Sequence, residues 1–304
     1  MTTLVRLEGG IGNQMFQMAF ARSRALINNS RTIIDTNYFT NSSATRSLLP
    51  WNCQEDEFYC APRNLEVSFV KNRLPLSIRI HNHSLPRVKF SLNQKSQFLP
   101  MYREDYRQFV YDFLVQPNGY YSGTFASHLY WGRGNQVATS QWLLSKLKGT
   151  LGAKLSVSHY GVSIHARRGD YVTNHKTRNF HGYIGIKYYI EAIELLAEKG
   201  MTQDGVLVAC DDHSFAQEIA RYVSKHTKRV GFANTDNPNL ALYEISHADS
   251  FIGSNSTFSF WASQLVPKEL TIFPSNWFVS PKMSFEPQKL FPGSPILLDT
   301  QLLT

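Results

Sequence analysis

The chain is short of cysteine and of long apolar runs, and each shortage removes a class of protein. Three cysteines, Cys53, Cys60 and Cys210, occur in 304 residues. That is an odd and sparse set for an extracellular disulfide framework, and the spacings match no zinc motif. They point to a reducing cytoplasm, with all three structural and not reactive. No apolar run approaches the ~18 residues of a helical membrane span, and the opening "MTTLVRLEGG" has neither the basic start nor the apolar middle of a signal peptide. A soluble chain that begins directly with folded structure is expected. No Pro/Gly/Ser tract and no block of like charge marks a disordered tail. No Asp-x-Asp occurs, and no set of His, Asp and Glu has metal-ligand spacing, so neither a metal nor a cofactor is expected.

What is present describes a folded protein, with 42% hydrophobic and 13% aromatic residues. Single cores tend to split beyond ~250–300 residues, so two domains are expected. Lys plus Arg number 31 against 23 Asp plus Glu, a net charge of +8. The surplus suits an anionic partner: nucleic acid, an acidic membrane surface or a phosphorylated substrate. Clustering decides among these. The arginines gather at strand ends and form no long basic face, which argues against nucleic acid.

From about residue 161 the pattern alternates. "GVSIHA" (161–166), "GVLVAC" (205–210), "RVGFA" (229–233), "SFIGS" (250–254) and "LTIF" (270–273) read as strands. Helical periodicity fills 185–200, 213–225, 239–248 and 256–265 between them. Strands alternating with helices of this length imply an α/β fold with a parallel, doubly wound sheet. The first half offers a strand, a glycine turn, a helix to about Ile27 and a strand over 31–36. Residues 40–115 give only loops and short elements. The onset of regular alternation sets a boundary near 155, dividing the chain into 1–155 and 156–304.

Ligands of such sheets sit beyond the carboxyl ends of the strands, and the unusual polar residues fall there. "HARRGDYV" brings His165, Arg167, Arg168 and Asp170 to the end of the first strand of the second half. A pair of guanidinium forks suits a diphosphate, although one of them could instead pair structurally with Asp170. In "GSNSTFSFW", Asn255, Ser256 and Thr257 open a helix whose N-terminus suits an anion or is simply capped. Asp211 and Asp212 in "ACDDHS" could hold a ribose hydroxyl or the donor edge of guanine, or Asp212 could cap the next helix. "GGIGNQMFQ" puts Gly10, Gly12 and Asn13 at a turn where the backbone can approach a ligand, though it is not GxGxxG. Met15, Met18 and Ala19 read as the buried stripe of that helix. Tyr121, Tyr130 and Trp131 could stack on a sugar or pack in the core.

Taken in order, "GGIGNQMFQMAFARS", "HARRGDYV", "HGYIGIKYYIEAI", "CDDHSFAQE", "GSNSTFSFWASQL" and "FPSNWF" resemble the α-1,2-fucosyltransferases of glycosyltransferase family 11. The resemblance implies a GT-B type fold, two Rossmann-like domains facing a central cleft, with an acceptor-side first domain and a GDP-fucose-binding second one. It implies metal-free, inverting transfer of L-fucose from GDP-β-L-fucose to the 2-hydroxyl of a terminal galactoside. Arg167 then matches the essential diphosphate ligand, and His165 and Arg168 lie beside the nucleotide. Asp211 or Asp212 matches an acid used on guanine, and Asn255, Ser256 and Thr257 match the segment beside the diphosphate. Gly10, Gly12 and Asn13 fall where the first domain would meet fucose and acceptor. Asp170, the acid nearest the fork, is the candidate base. Phe260 and Gln264 stand where the family often has tryptophan, which touches acceptor preference. A protein O-fucosyltransferase or another GDP-sugar transferase would share the diphosphate site. The acceptor expected is a galactose-terminated oligosaccharide or glycolipid of a surface polysaccharide, met at the inner face of the membrane by peripheral contact.

Overall fold

The computed structural model of the protein describes residues 3–40, 58–60, 66–70, 87–92, 95–104, 109–116, 118–131, 136–152, 155, 157–279 and 286–304. Cys53 and the side chain of Cys60 lie outside these. The chain divides into two compact units, Met1–Gly134 and Asn135–Thr304. The division precedes the expected residue 155 because the helix Gln136–Leu151 packs against Pro238–Ile245 in the second unit.

The first unit contains β1 (Thr3–Arg6), α1 (Ile11–Ile27), β2 (Thr32–Asp35), β3 (Phe58–Cys60), β4 (Glu66–Val70), β5 (Arg87–Leu92), β6 (Lys95–Arg103), α2 (Asp112–Val115) and β7 (Gly119–Ser122). Its sheet runs β3-β2-β1-β7-β6-β5-β4. Strands β3, β2, β1, β7 and β6 pair in parallel, and β6, β5 and β4 pair antiparallel. The reading of 40–115 as loops and short elements is corrected here, since β6 spans nine residues. "KSQFLPMYR" contains a proline and no clean alternation, so its pairing across β5 and β7 defines the strand better than its own pattern does.

The buried stripe of α1 is as read, with Met15, Met18 and Ala19 within 1% of complete burial beside Phe16 and Phe20. Tyr121, Tyr130 and Trp131 are buried too, and Phe20 stacks on Phe125 at 3.9 Å; these aromatics are core. Arg24 lies among them, 1% exposed. Its guanidinium donates to the carbonyls of Phe113 and Gln116 and to Thr3 Oγ1 at 3.3 Å, and rests 4.0 Å over the Tyr121 ring. No carboxylate pairs with it among the described residues, and burial lowers its pKa. The negative end of α2 and the ring face take the place of a counter-ion.

The second unit contains α3 (Gln136–Leu151), β8 (Val162–Ala166), α4 (Gly169–Thr173), α5 (His175–His181), β9 (Tyr183–Ile184), α6 (Ile186–Glu198), β10 (Val206–Cys210), α7 (His213–Val223), β11 (Val230–Phe232), α8 (Pro238–Ile245), β12 (Ser250–Ile252), α9 (Thr257–Gln264), β13 (Leu270–Pro274), α10 (Pro287–Leu290), β14 (Ile296–Leu298) and β15 (Leu302–Leu303). Every strand and helix expected over 161–273 is present. Its six-stranded sheet, β11-β10-β8-β12-β13-β14, is parallel throughout. Val162, Ile164, Val206, Val208, Ile252 and Ile272 are buried between α6 and α7 residues such as Ile193, Leu196 and Ile219. The sequence pattern does not announce α4 and α5. Both are short and polar, and α5 starts because Asn174 Oδ1 accepts the N–H groups of Lys176 and Thr177 at 3.0 and 3.1 Å.

Replacing Arg24 with Leu leaves two buried carbonyls without their donor, each costing ~1–3 kcal/mol. Urea unfolding of Arg24→Leu is expected to show stability lower by about 2–5 kcal/mol; an unchanged midpoint would mean that these bonds contribute nothing.

Candidate active site

Strand order reverses at β8. From β8 the chain moves outward through β10 and β11, then returns to place β12, β13 and β14 on the other side. Loops leaving the two sides of such a reversal diverge and open a crevice at the carboxyl ends of the strands. The segments 167–171, 211–213 and 254–257 meet there, following β8, β10 and β12.

Arg167 is the hub. Its Nη1 contacts Asp211 Oδ2 and its Nη2 contacts Asp170 Oδ1, and its side chain is 21% exposed. Burial alone would pull its pKa down, but Asp211 and Asp170 outweigh burial and raise it. Asp211 also accepts the backbone N–H groups of Arg168 and Gly169, at 2.7 and 3.0 Å. Glycine at 169 follows from that approach: a Cβ there would lie 2.5 Å from Asp211 Oδ2. A guanidinium has five N–H donors, so two acids can orient the fork while it still binds an anion.

Arg168 takes a different course. It packs 4.6 Å from the Tyr183 ring and 4.3 Å from the Phe215 ring, with Nε 3.8 Å from Asp212 Oδ2, beyond hydrogen-bond reach. Asp212 caps α7, accepting Phe215 N–H at 3.1 Å and Ser214 Oγ–H at 2.7 Å, and these bonds hold its carboxyl below the usual range. His165 is 8% exposed, with Nδ1 2.6 Å from Ser259 Oγ. Burial, aided by Arg167, pushes its pKa down to about 3. The imidazole is therefore neutral at physiological pH and adds no positive charge to the two arginines that follow β8.

On the β12 side, Ser256 caps α9 by accepting Phe258 N–H at 3.2 Å, and Thr257 begins that helix. Asn255 is 2% exposed and donates Nδ2–H to the carbonyls of His181 at 2.9 Å and Trp277 at 3.3 Å. Tyr171 joins the two sides, donating its hydroxyl to Asn255 O at 3.2 Å and stacking on His181 at 4.7 Å.

The sequence profile of Glycosyl transferase family 11 matches residues 2–292. The chain belongs to that family. An Escherichia coli α-1,2-colitosyltransferase is 24% identical over 295 residues, which cover 93% of this chain and 95% of the relative. The O-antigen biosynthesis glycosyltransferase WbnK of Escherichia coli is 27% identical over 303 residues, covering 90% and 93%. Among solved structures, POFUT1 in complex with GDP is similar at 14% identity and a TM-score of 0.44, covering 90% of this chain and 98% of that one.

In this family 11 glycosyltransferase the sequence-selected residues of the second unit converge: His165, Arg167, Arg168, Asp170, Asp211, Asp212, Asn255, Ser256 and Thr257 all lie at one end of one sheet. Gly10, Gly12 and Asn13 belong to the first unit, at the carboxyl end of β1, where strand order also reverses. Gly10 caps α1 with open space where a Cβ would be, while Gly9 has φ +78° and packs against Asn13. Tyr171, His181 and Ser259 are functional-site residues that sequence reasoning does not single out; all three lie inside the quoted motifs, but nothing local assigns them a role. Cys210 is buried with its thiol pushed up to about 12, as suits a structural cysteine. His159, Asp204 and Asp249 cluster at the opposite end of the strands from Arg167.

Two outcomes follow from this geometry. Gly169→Ala displaces Asp211 or Arg167, and turnover is expected to fall at least tenfold with little change in melting temperature; normal turnover would show that the close approach is dispensable. His165 and His181 have folded pKa values of about 3 and about 4, both lowered first by burial, against ~6.5 unfolded. The unfolded chain therefore takes up protons first as pH falls below ~6.5, and stability declines by ~1.4 kcal/mol per pH unit per histidine. Melting temperature should drop between pH 6.5 and 4.5, less steeply in His165→Asn; parallel slopes would assign the loss to other groups.

Proposed function

We propose that the protein transfers L-fucose from GDP-β-L-fucose to the 2-hydroxyl of a terminal galactoside, with inversion and without a metal. One observation carries the reading: in a family 11 chain, an arginine fork and a helix N-terminus stand on adjacent parallel strands at the reversal of strand order. Phosphate suits both devices. The acceptor oxygen attacks C1 of the sugar, the C1–O bond to the β-phosphate breaks, and the electron pair leaves with GDP. Arg167 and the α9 N-terminus, with Ser256 and Thr257, stabilise the charge that develops on the diphosphate. The departing proton goes to a base that can be weak when the transition state is cation-like. Asp170 is that base in this reading, although its pairing with Arg167 already gives it an orienting role. His165 and Arg168 line the nucleotide, and Asp211 and Asp212 bound its β10 side.

A second donor is favoured by a specific likeness, the α-1,2-colitosyltransferase. Colitose differs from fucose by one missing hydroxyl, so the same diphosphate site would serve GDP-colitose. WbnK, named for O-antigen biosynthesis, supports a surface-polysaccharide acceptor, and the +8 charge supports peripheral contact with an anionic membrane surface from the cytoplasm.

Calorimetric titration with GDP, ADP, UDP and GDP-fucose in EDTA tests the donor. Guanine ligands are expected to bind selectively and to lose at least tenfold in affinity in Arg167→Ala. Arg167→Lys keeps the charge and loses the fork, and should cut turnover at least tenfold, ~1.4 kcal/mol of barrier. Equal binding of all three diphosphates, or near-normal turnover in the Lys variant, would overturn the assignment. Linkage analysis of the product separates a galactoside acceptor from protein O-fucosylation.

A further inference from the structure

The acceptor atom of Asn255 is the unexplained group at this site. Both amide hydrogens of Asn255 point at backbone carbonyls, those of His181 and Trp277. The opposite amide orientation would set oxygen against two carbonyl oxygens, so the assignment of Nδ2 and Oδ1 is fixed by chemistry. Oδ1 is therefore a buried acceptor, and it has no hydrogen-bond donor among the described residues. His181 Nδ1 is buried and unpartnered in the same sense, and its ring is layered on Tyr171, which in turn lies 5.6 Å from the Arg167 guanidinium. The order along the crevice is Asp211 just after β10, Arg167 just after β8, then Tyr171, His181 and Asn255 toward β12. Buried polar groups in native proteins are almost always satisfied. Two orphans joined by one hydrogen-bonded contact, one ring layer from the fork, mark a place where a ligand completes the network.

The kind of ligand follows from the atoms. An amide oxygen accepts and cannot bind phosphate, whose oxygens also accept. The group it needs carries an O–H or N–H. In doubly wound sheets with this strand order, the nucleoside lies toward the strand after the first crossover helix, where an acid meets the ribose. That strand is β10 here, so with the diphosphate over Arg167 the opposite end of the donor extends toward β12. We infer that Asn255 Oδ1 and His181 Nδ1 form the subsite that recognises a hydroxyl of the transferred sugar, and that they determine specificity for it. The inference rests on the nucleotide-sugar reading given above. His181 is well placed to remain neutral in this role, since burial holds its pKa to about 4, leaving one ring nitrogen to donate and the other to accept.

GDP and GDP-fucose differ by the sugar, so comparing them isolates the subsite. His181→Phe keeps the ring that stacks on Tyr171 and removes both nitrogens. Asn255→Asp keeps an acceptor but loses the two N–H bonds that tie the loops, and its fold is monitored by melting temperature and by GDP binding. In His181→Phe, GDP affinity measured by calorimetry is expected to stay within twofold of wild type, while GDP-fucose affinity falls at least fivefold. Asn255→Asp, where folded, should again affect GDP-fucose more than GDP. Equal weakening of both ligands in His181→Phe would assign the pair to the nucleotide, and no weakening of either would make the orphans structural; each result overturns the subsite alone. Failure of the wild type to bind GDP would overturn the donor reading, and the subsite with it.

Discussion

One carboxylate on a neighbouring strand sets the geometry of the whole site. Asp211, just beyond β10, accepts from the Arg167 fork and from the backbone N–H groups of Arg168 and Gly169. Hydrogen bonds to a charged group contribute ~1.5–3 kcal/mol each, so the exit path of the chain after β8 is tied to the end of β10. Glycine at 169 is the steric condition of that tie. With the turn held, Arg167 lies between Asp211 and Asp170 while Arg168 packs back against Tyr183 and Phe215. The two adjacent arginines are thereby given opposite fates.

The second unit commits most of its charged groups at this end of the sheet to one another or to packing. His165 is neutral because burial and Arg167 both disfavour its protonated form, Asp212 is committed to capping α7, and Arg168 is covered by rings. Arg167, held by Asp170 and Asp211, is the guanidinium at the end of β8 that is not packed between rings. The first unit shows the complementary solution to a buried cation: Arg24 is satisfied by carbonyls and an aromatic face. Arg167 is thus held by carboxylates and Arg24 by backbone carbonyls.

The reversal at β8 gathers the polar residues of the second unit in this family 11 chain, and a diphosphate and a sugar make different demands on such a place. That division is physically reasonable. The diphosphate is common to nucleotide-sugar donors and is met by charge and helix termini. Discrimination between sugars that differ by a hydroxyl requires a buried polar group that is left unsatisfied by the wrong one, which is the role inferred above for Asn255, whose buried Oδ1 has no donor among the described residues.

Five of the six strands of the second sheet, all but β14, and the helices α6 to α9 between them were legible in the sequence, because apolar alternation and helix periodicity are local properties that survive burial on both faces. The sequence also brought out "HARRGDYV" and "GSNSTFSFW", since charged and capping residues at the ends of apolar runs have no packing explanation. It did not reveal β6, whose existence depends on partners distant in the chain, nor α4 and α5, whose short polar stretches carry no period. Tertiary contacts fix that Arg167 pairs with two aspartates while Arg168 packs against rings, that Asp211 holds the turn while Asp212 caps a helix, and that Tyr121, Tyr130 and Trp131 belong to the core. They also join His181 to Asn255. Each of these turns on strand order, which sets residues far apart in the chain side by side, and no local spacing encodes that neighbourhood.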